Sequence, residues 1–382
     1  MNGLSAILHG NEQDASTTDA EGIASALARI GRDEALREQM IDLLRKAERR
    51  LARPDLKVRG GFDVRAEITG EICDALCRDA GLMCKRLKQG ITFSYTYTSR
   101  IARAVTLSPD REPDHVWEPQ TTKLLLALAE NADHVLIGGA YAGDHALLLA
   151  QQLAALGDGG VVHAFEPNDA LADLLDLNIR QNNLTNILVS RLGLWRQEGK
   201  CFAFEGDDSD AHGIPVTSPD QADFVTTTID AYVRERQLPG LDVIMLDIEG
   251  AEHAALEGAL DVLSRPAGQS PHVIFEIHRS YVDWSDGLLR TPILEMLTDL
   301  GYFAYAIRDF HSNYPMGDSP VELIRPETTW LEGPPHGFNM VAVKTPDLLE
   351  QDERIRILDG VSPKLLLHKD PALHHPSTRP CL

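Results

Sequence analysis

The stretch from His134 to Pro167 restricts the fold of this chain more than any other part of it. An apolar triplet, Val135 to Ile137, runs straight into Gly138-Gly-Ala-Tyr-Ala-Gly-Asp144. Asp144 to Leu156 then carries Ala and Leu at helical spacing, and Val161 to Phe165 is a second apolar run that ends on Glu166. The predicted order is strand, glycine turn, helix, strand, acid. Glycines allow a tight turn and a close approach of backbone to ligand. The unpaired N–H groups at a helix N-terminus favour anionic ligand atoms. An acid at the tip of the second strand can accept hydrogen bonds from both hydroxyls of a ribose. The unit reads as a nucleoside-cofactor site and leaves the cofactor open.

The alternation continues downstream. The pattern predicts a helix over 170–181 with Asn168 as N-cap, strands at 187–192 and 201–204, and a short helix from Thr226 to Gln237. A strand at 243–246, a helix over 252–263, a strand at 273–277, a helix over 292–300 and a strand at 302–307 follow, and a last strand, 339–343, stands apart. Strands alternating with helices give a mostly parallel α/β sheet covered on both faces. Ligands of such sheets bind outside the carboxyl ends of the strands. Glu166, Asp247, Glu249, Glu276 and His278 all fall there.

The flanks read differently. Residues 1–18 are polar and expected to be disordered, without the basic-then-apolar order of a secretory leader. Residues 19–115 are expected to form a helical N-terminal region. Leu36, Met40, Leu43, Leu44, Ala47 and Leu51 share one helical face, Pro54, Gly60 and Gly61 interrupt it, and a second helix is predicted over 64–88. On that helix Cys73, Cys77 and Cys84 share a side. No fourth ligand lies near, so they read as small buried apolar residues rather than a metal site. Thr121 or Thr122 is the expected cap of a short helix leading into the first strand. Residues 116–345 then form the main domain and 346–382 a C-terminal arm. Five Cys in 382 residues, an odd number, suggest no disulfide framework and a reducing, cytoplasmic setting. No apolar run is long enough to span a bilayer. A net charge of −22 argues against a nucleic-acid backbone as partner.

Gly138-Gly-Ala-Tyr-Ala-Gly143 nearly fits the dinucleotide pattern Gly-x-Gly-x-x-Gly, with Ala140 in the second position. The later segment Asp242-Val-Ile-Met-Leu-Asp-Ile-Glu-Gly-Ala-Glu-His253 decides between cofactors. A strand ending in two acids suits a methyl donor, whose sulfonium is positive, better than the apparatus of hydride transfer. From about Trp117 to Lys344 the chain resembles the FkbM family of S-adenosylmethionine-dependent methyltransferases. Five segments carry the resemblance in order: Gly139-Ala-Tyr-Ala-Gly-Asp144, Ala164-Phe-Glu-Pro-Asn168, Thr227-Thr-Ile-Asp230, Leu246-Asp-Ile-Glu-Gly-Ala-Glu252 with Leu256-Glu-Gly-Ala259, and Phe275-Glu-Ile-His278. It implies a Rossmann-like class I methyltransferase sheet, mostly parallel with the last strand antiparallel. It also implies methyl transfer from S-adenosylmethionine to a hydroxyl of a sugar or sugar-bearing natural product. Ile137 stands where the family commonly has Asp, Tyr141 where it has Asn, and Met245 where a Lys is frequent.

The resemblance puts Gly138, Gly139, Ala140, Tyr141, Gly143 and Asp144 against the methionine half of the cofactor and Glu166 on its ribose. A plain strand-to-helix turn, and an acid favoured by the helix dipole at Asp144, are the bland alternatives. Proton removal from the acceptor needs a base near neutral pKa. His278, better placed than His253, and the carboxylates of Asp247, Glu249 and Glu276 are the catalytic candidates. The same acids, Asp247 and Glu276 above all, could instead hold a divalent cation such as Mg²⁺. The expected partner is a small hydroxylated molecule, with neither nucleic acid nor membrane. The N-terminal region is expected to cover the site, select the substrate or join two copies in a homodimer. Rival readings are an N- or C-methyltransferase of the same fold, a non-catalytic cofactor-binding or scaffold protein, and an NAD enzyme.

Overall fold

The computed structural model describes residues 16–51, 64–157, 159–206, 211–331 and 337–365. The expectations for residues 1–15, for Pro54, Gly60 and Gly61, and for the tail beyond Leu365 lie outside the described residues.

The N-terminal region opens with helices α1 (Ser16–Gly31) and α2 (Glu34–Leu51), and a π-helical turn over Arg65–Thr69 leads into α3 (Gly70–Cys77). Ile41, Cys73, Leu76, Cys77 and Leu107 close a small core of their own. Two cysteines therefore fill apolar space as expected, but the third does not join them. The helix predicted over 64–88 stops at Cys77, and Met83–Arg86 is instead strand β1, paired antiparallel with β2 (Thr92–Tyr95). Cys84 lies exposed on β1. A turn at Arg78 and Asp79, closed by the Ala80 N–H on the Cys77 carbonyl, ends the helix, and the β-prone Thr92-Phe-Ser-Tyr95 supplies a pairing partner that buries Phe93 and Tyr95. Helix α4 (Arg100–Leu107) follows, with Ser99 as N-cap accepting from the Ala102 N–H at 3.2 Å.

The main domain runs α5 (Pro119–Leu128), β3 (His134–Gly138), α6 (Ala146–Leu156), β4 (Val161–Phe165), α7 (Asp169–Gln181) and β5 (Ile187–Ser190). Neither Thr121 nor Thr122 caps α5. The Asp309 carboxylate does so from a distant loop, accepting the N–H groups of Gln120 and Thr121 at 3.0 and 2.7 Å. An excursion then forms a second sheet from β6 (Gly193–Leu194), β7 (Cys201–Glu205), β8 (His212–Pro215) and β9 (Phe224–Thr227). The chain returns through α8 (Ile229–Glu235), β10 (Val243–Leu246), α9 (Glu252–Glu257), α10 (Leu260–Leu263), β11 (His272–His278), α11 (Pro292–Asp299), β12 (Phe303–Ile307), β13 (Val321–Ile324) and β14 (Gly337–Val343). It ends on α12 (Asp347–Glu350) and β15 (Ile355–Leu358). The single helix expected over 252–263 is split at Gly258, where a Cβ would sit 2.4 Å from the Trp195 carbonyl.

The large sheet has the order β15-β13-β12-β14-β11-β10-β3-β4-β5. Strands β3, β4, β5, β10 and β11 are parallel, and β14 runs antiparallel between β11 and β12. The mostly parallel sheet with its antiparallel β14 is the arrangement that the resemblance implied, with two edge strands, β13 and β15, added. The stretch beyond Pro346, read in the sequence as a surface arm, supplies β15, parallel to β13. Side chains alternate across the pleat. Val135 and Ile137 enter one core while Leu136 enters the other, and Val243 and Met245 are likewise parted from Ile244 and Leu246. Both faces are buried, so the strands read as continuous apolar runs, and polar groups gather at their ends.

Candidate active site

A cavity of about 790 Å³ opens at the carboxyl ends of β3, β4, β10 and β11. Its floor is the loop after β3. The N–H groups of Gly139 and Ala140 both reach the Phe165 carbonyl at 3.0 Å, which folds the loop over the end of β4. Gly139 has φ +76°, and a Cβ there would lie 1.8 Å from the Asp247 carbonyl oxygen. Only glycine allows this approach between the β3 loop and the end of β10. Asn178 on α7, fully buried, fixes the far side of the loop by donating to the Ala142 carbonyl at 2.8 Å. The same side chain accepts from the Ser94 N–H and donates to the Ser94 carbonyl, so the β1–β2 hairpin is tied to the loop through one amide.

Glu166 stands at the tip of β4, 6% exposed. Its Oε2 accepts the Tyr141 N–H and its Oε1 the Asn168 N–H, each at 2.9 Å. Each oxygen keeps a lone pair for a ligand donor. Burial outweighs these two bonds and pushes the carboxyl up to about 7. Tyr141 sits at φ +47°, left-handed space that Asn tolerates better than Tyr, and its hydroxyl is 3.1 Å from Ser99 Oγ. Glu118 and Glu249, at φ +44° and +53°, also line the cavity. Strained non-glycine residues gather where a site needs a fixed geometry.

The Asp247-Ile-Glu-Gly250 segment turns sharply after β10. Glu252 holds that turn: its Oε1 accepts the Ile248 N–H at 2.8 Å and the Gly250 N–H at 3.3 Å. The acid is thus a brace for the loop and not merely a first-turn charge. Oxygens of Asp247, Glu249 and Glu276 lie within 4.8 Å of one another. Burial, and then the charge of Asp144, raises Asp247 to about 6. Glu276 is held well above the ordinary carboxylate range by burial and by Asp247. Glu118 is raised in the same way, and its Oε2 accepts from Asn339 Nδ2 at 2.6 Å. Tyr281 donates its hydroxyl to Glu249 Oε2 at 3.3 Å.

The sequence-predicted residues Gly139, Tyr141, Gly143, Asp144 and Glu166 line one cavity together with Asp247, Glu249, Glu276 and His278. Gly138 and Ala140 shape the loop as neighbours behind that lining. His278 Nδ1 accepts the Ser280 N–H at 3.0 Å, so its neutral ring carries the proton on Nε2 and presents a donor. A second imidazole, His145, was not singled out by sequence reasoning. Its signal was its place, directly after Gly143-Asp144. Thr122 Oγ1 gives its one proton to the Trp117 carbonyl at 2.9 Å and must accept from His145 Nδ1 at 3.0 Å. His145 Nε2 is therefore a lone-pair acceptor in the neutral ring. It is buried at the cavity wall without a hydrogen-bond partner, 3.7 Å from Asp144 Oδ2.

The second sheet closes the cavity with aromatic rings that no motif announced. Phe202 stacks on Phe224 at 5.5 Å between ring centroids, Phe204 lies 4.8 Å from Phe224, and Trp195 meets Phe202 edge-on at 5.0 Å. All four border the cavity. Arg100 and Ile101 of the N-terminal region also line it.

Residues 138–303 match the methyltransferase FkbM domain. No curated protein matches the chain. Among solved structures, a methyltransferase FkbM from Methylobacillus flagellatus KT is 19% identical with a TM-score of 0.27, the match covering 38% of this chain and 32% of that one. The match therefore takes in about a third of that protein's length. An O-methyltransferase from Bacillus cereus in complex with S-adenosylhomocysteine is 16% identical, covers 59% of this chain and 80% of its own, and has a TM-score of 0.32. An rRNA methylase from Streptococcus thermophilus is 14% identical over 59% of this chain and 93% of its own, with a TM-score of 0.33. Among the described residues no helix is long and apolar enough to cross a membrane.

Proposed function

We propose that this chain, whose residues 138–303 form a methyltransferase FkbM domain, transfers a methyl group from S-adenosylmethionine to a hydroxyl of a small polyhydroxylated acceptor such as a sugar. The observation that carries the reading is the contact between Gly139 and the Asp247 carbonyl, which joins the β3 loop, the β4 acid and the β10 acids around one cavity.

The residues present fit the cofactor. Glu166 keeps free lone pairs for the two ribose hydroxyls. Gly139 and Gly143, at φ +76° and +96°, let the loop turn tightly at the cavity. The carboxylates beyond it favour a positive sulfur. When bound, S-adenosylmethionine would supply an electrophilic methyl group on that sulfur. Positioning of the acceptor oxygen in line with that group can account for much of the rate. Asp247 takes the hydroxyl proton as the carbon–oxygen bond forms and the carbon–sulfur bond breaks. Its value of about 6 keeps it ionised at neutral pH yet basic enough to help. Glu276 and Glu249 hold the acceptor by hydrogen bonds. His278 donates from Nε2 to an acceptor oxygen and does not serve as base. Residues 83–107 of the N-terminal region help to close the cavity and select its occupant.

Calorimetry with S-adenosylhomocysteine and with NAD tests the reading. Binding of S-adenosylhomocysteine, weakened at least about tenfold in Glu166→Ala by loss of charged hydrogen bonds, is expected. Tight NAD binding without S-adenosylhomocysteine binding would refute it.

A further inference from the structure

We infer that Arg100, which lies outside the matched residues 138–303, receives the methionine carboxylate of the cofactor, so that the first turn of α4 completes the cofactor site. The inference rests on the methyl-transfer reading above and adds a binding residue to that same site.

The first ground is what the motif segments lack. S-adenosylmethionine carries one carboxylate, on the half that this reading sets against the Gly138–Asp144 loop. A carboxylate taken out of water needs a cation or several hydrogen-bond donors. No Lys or Arg occurs from Leu124 to Ile179, the stretch that holds β3, α6, β4 and most of α7. None occurs from Asp242 to Ser264 either, the stretch that holds β10, α9 and α10. The loop's own charged side chain, Asp144, has the wrong sign. Nor does the loop backbone offer its usual donors. The N–H groups of Gly139 and Ala140 are spent on the Phe165 carbonyl, that of Tyr141 on Glu166 Oε2 at 2.9 Å, and that of Gly143 on the Ala140 carbonyl at 2.8 Å. Folding the loop has used the amides that a glycine turn before a helix can give to an anion.

The second ground is where Arg100 stands. Ser99 Oγ lies 3.1 Å from the Tyr141 hydroxyl, so the N-cap of α4 touches the cofactor loop. The next two residues, Arg100 and Ile101, line the cavity. The Arg100 guanidinium has no hydrogen-bond or ion-pair partner among the described residues. Its neighbours in the N-terminal region are committed: Arg65 to Glu48, Arg86 to Asp110 and Arg103 to Asp74. The lysine on the lining, Lys364, pairs through its backbone with Asp309 and is not free. The end of α4 adds to the positive charge. Ser99 takes the Ala102 N–H through Oγ and the Arg103 N–H through its carbonyl, and the N–H groups of Arg100 and Ile101 have no backbone acceptor among the described residues. A guanidinium can donate two parallel bonds to one carboxylate, which fixes its orientation as well as its charge.

The test is calorimetry on the full chain at pH 7 with two ligands and no acceptor. One is S-adenosylhomocysteine. The other is S-adenosyl-3-thiopropylamine, its decarboxylated analogue, which keeps the ammonium and the thioether. The parent chain is expected to bind S-adenosylhomocysteine at least about tenfold tighter than the analogue, the size of a charged hydrogen-bond pair. Arg100→Gln should lose about tenfold for S-adenosylhomocysteine and stay within about twofold of the parent for the analogue, whose binding shows that the variant is folded. Arg100→Lys should keep part of the preference, because it retains the charge without the fork. Unchanged S-adenosylhomocysteine affinity in Arg100→Gln would leave the guanidinium to an anionic group of the acceptor and overturns the inference. Equal loss for both ligands, or equal binding of the two by the parent, overturns it as well. Binding of neither ligand by the parent overturns instead the reading on which it rests.

Discussion

Replacing Gly139 by Ala tests the contact on which the site is built. The added methyl would lie 1.8 Å from the Asp247 carbonyl oxygen, while ordinary Cβ contacts start at 3.4 Å. The β3 loop and the end of β10 must then separate by about 1.6 Å. The left-handed φ adds about 1–2 kcal/mol for any residue with a Cβ. Overpacking of a tight contact adds about 1–3 kcal/mol. The two costs are separable, because Gly157 at the end of α6 has φ +86° and a methyl added there would meet nothing within 4 Å. Gly157→Ala therefore carries only the backbone cost. Thermal unfolding should place Gly139→Ala clearly below Gly157→Ala, and Gly157→Ala a few degrees below the parent. Displacement by more than 1 Å at a site can cost about 100-fold in function. Calorimetry should show S-adenosylhomocysteine affinity reduced by about that factor in Gly139→Ala and unchanged in Gly157→Ala. If Gly139→Ala binds within about twofold of the parent, the close approach of the two loops does not make the cofactor site.

Two further substitutions separate chemistry from scaffolding. Asp247→Asn should lower kcat by about 10²–10⁴ with S-adenosylhomocysteine affinity largely kept, and His278→Ala should cost less, because its Nδ1 is already occupied; single-turnover rates decide, and the reverse order would return the base role to His278. Asn178→Ala removes the bonds to Ser94 and Ala142 and should destabilise by about 2–4 kcal/mol while weakening cofactor binding, as read by calorimetry.

The parts of the site that the sequence made legible are those encoded by contiguous residues. Strand, glycine turn and acid occur within His134–Pro167, so short-range rules suffice to find them. The Asp247-Ile-Glu-Gly250 turn is legible for the same reason. What stayed hidden depends on residues far apart. Asp309 caps α5 across 189 positions, Asn178 joins Ser94 to the loop across 84, and Asn339 reaches Glu118 across 221. No local pattern marks such pairs. The β1–β2 hairpin was missed because Met83–Arg86 carries a spacing compatible with a helix and becomes a strand only when Thr92–Tyr95 pairs with it. The aromatic wall was missed because Trp195, Phe202, Phe204 and Phe224 lie on a polar, irregular-looking excursion whose strands are short. His145 had a local signal, but its role depends on a proton that Thr122 spends elsewhere.

The buried acids make stability and ligand binding respond to pH in opposite directions, and Glu166 shows the sign. Its carboxyl rises from the ordinary 4.5 to about 7 because burial outweighs the Asn168 and Tyr141 N–H bonds. The folded chain thus holds this proton more tightly than the unfolded chain does. The resulting stabilisation is complete below about pH 4.5 and is lost as pH climbs through about 7, on the order of 3 kcal/mol in all. Glu252, also raised to about 7, adds to the same fall, but its Oε1 is committed to the Ile248 and Gly250 N–H groups, so it braces the loop and does not meet a ligand. Ribose hydroxyls are donors and favour the ionised Glu166. Roughly one molecule in ten has that form at pH 6 and roughly nine in ten at pH 8, so affinity for S-adenosylhomocysteine should rise about tenfold over this range. Protein stability without ligand should fall over the same interval, and Glu166→Gln should flatten the affinity profile while binding more weakly throughout. A buried acid with no part in the cofactor site would give the fall in stability without the gain in affinity. Parallel titrations at pH 6, 7 and 8 therefore distinguish the two roles, and a flat affinity profile in the parent protein would remove Glu166 from the ribose.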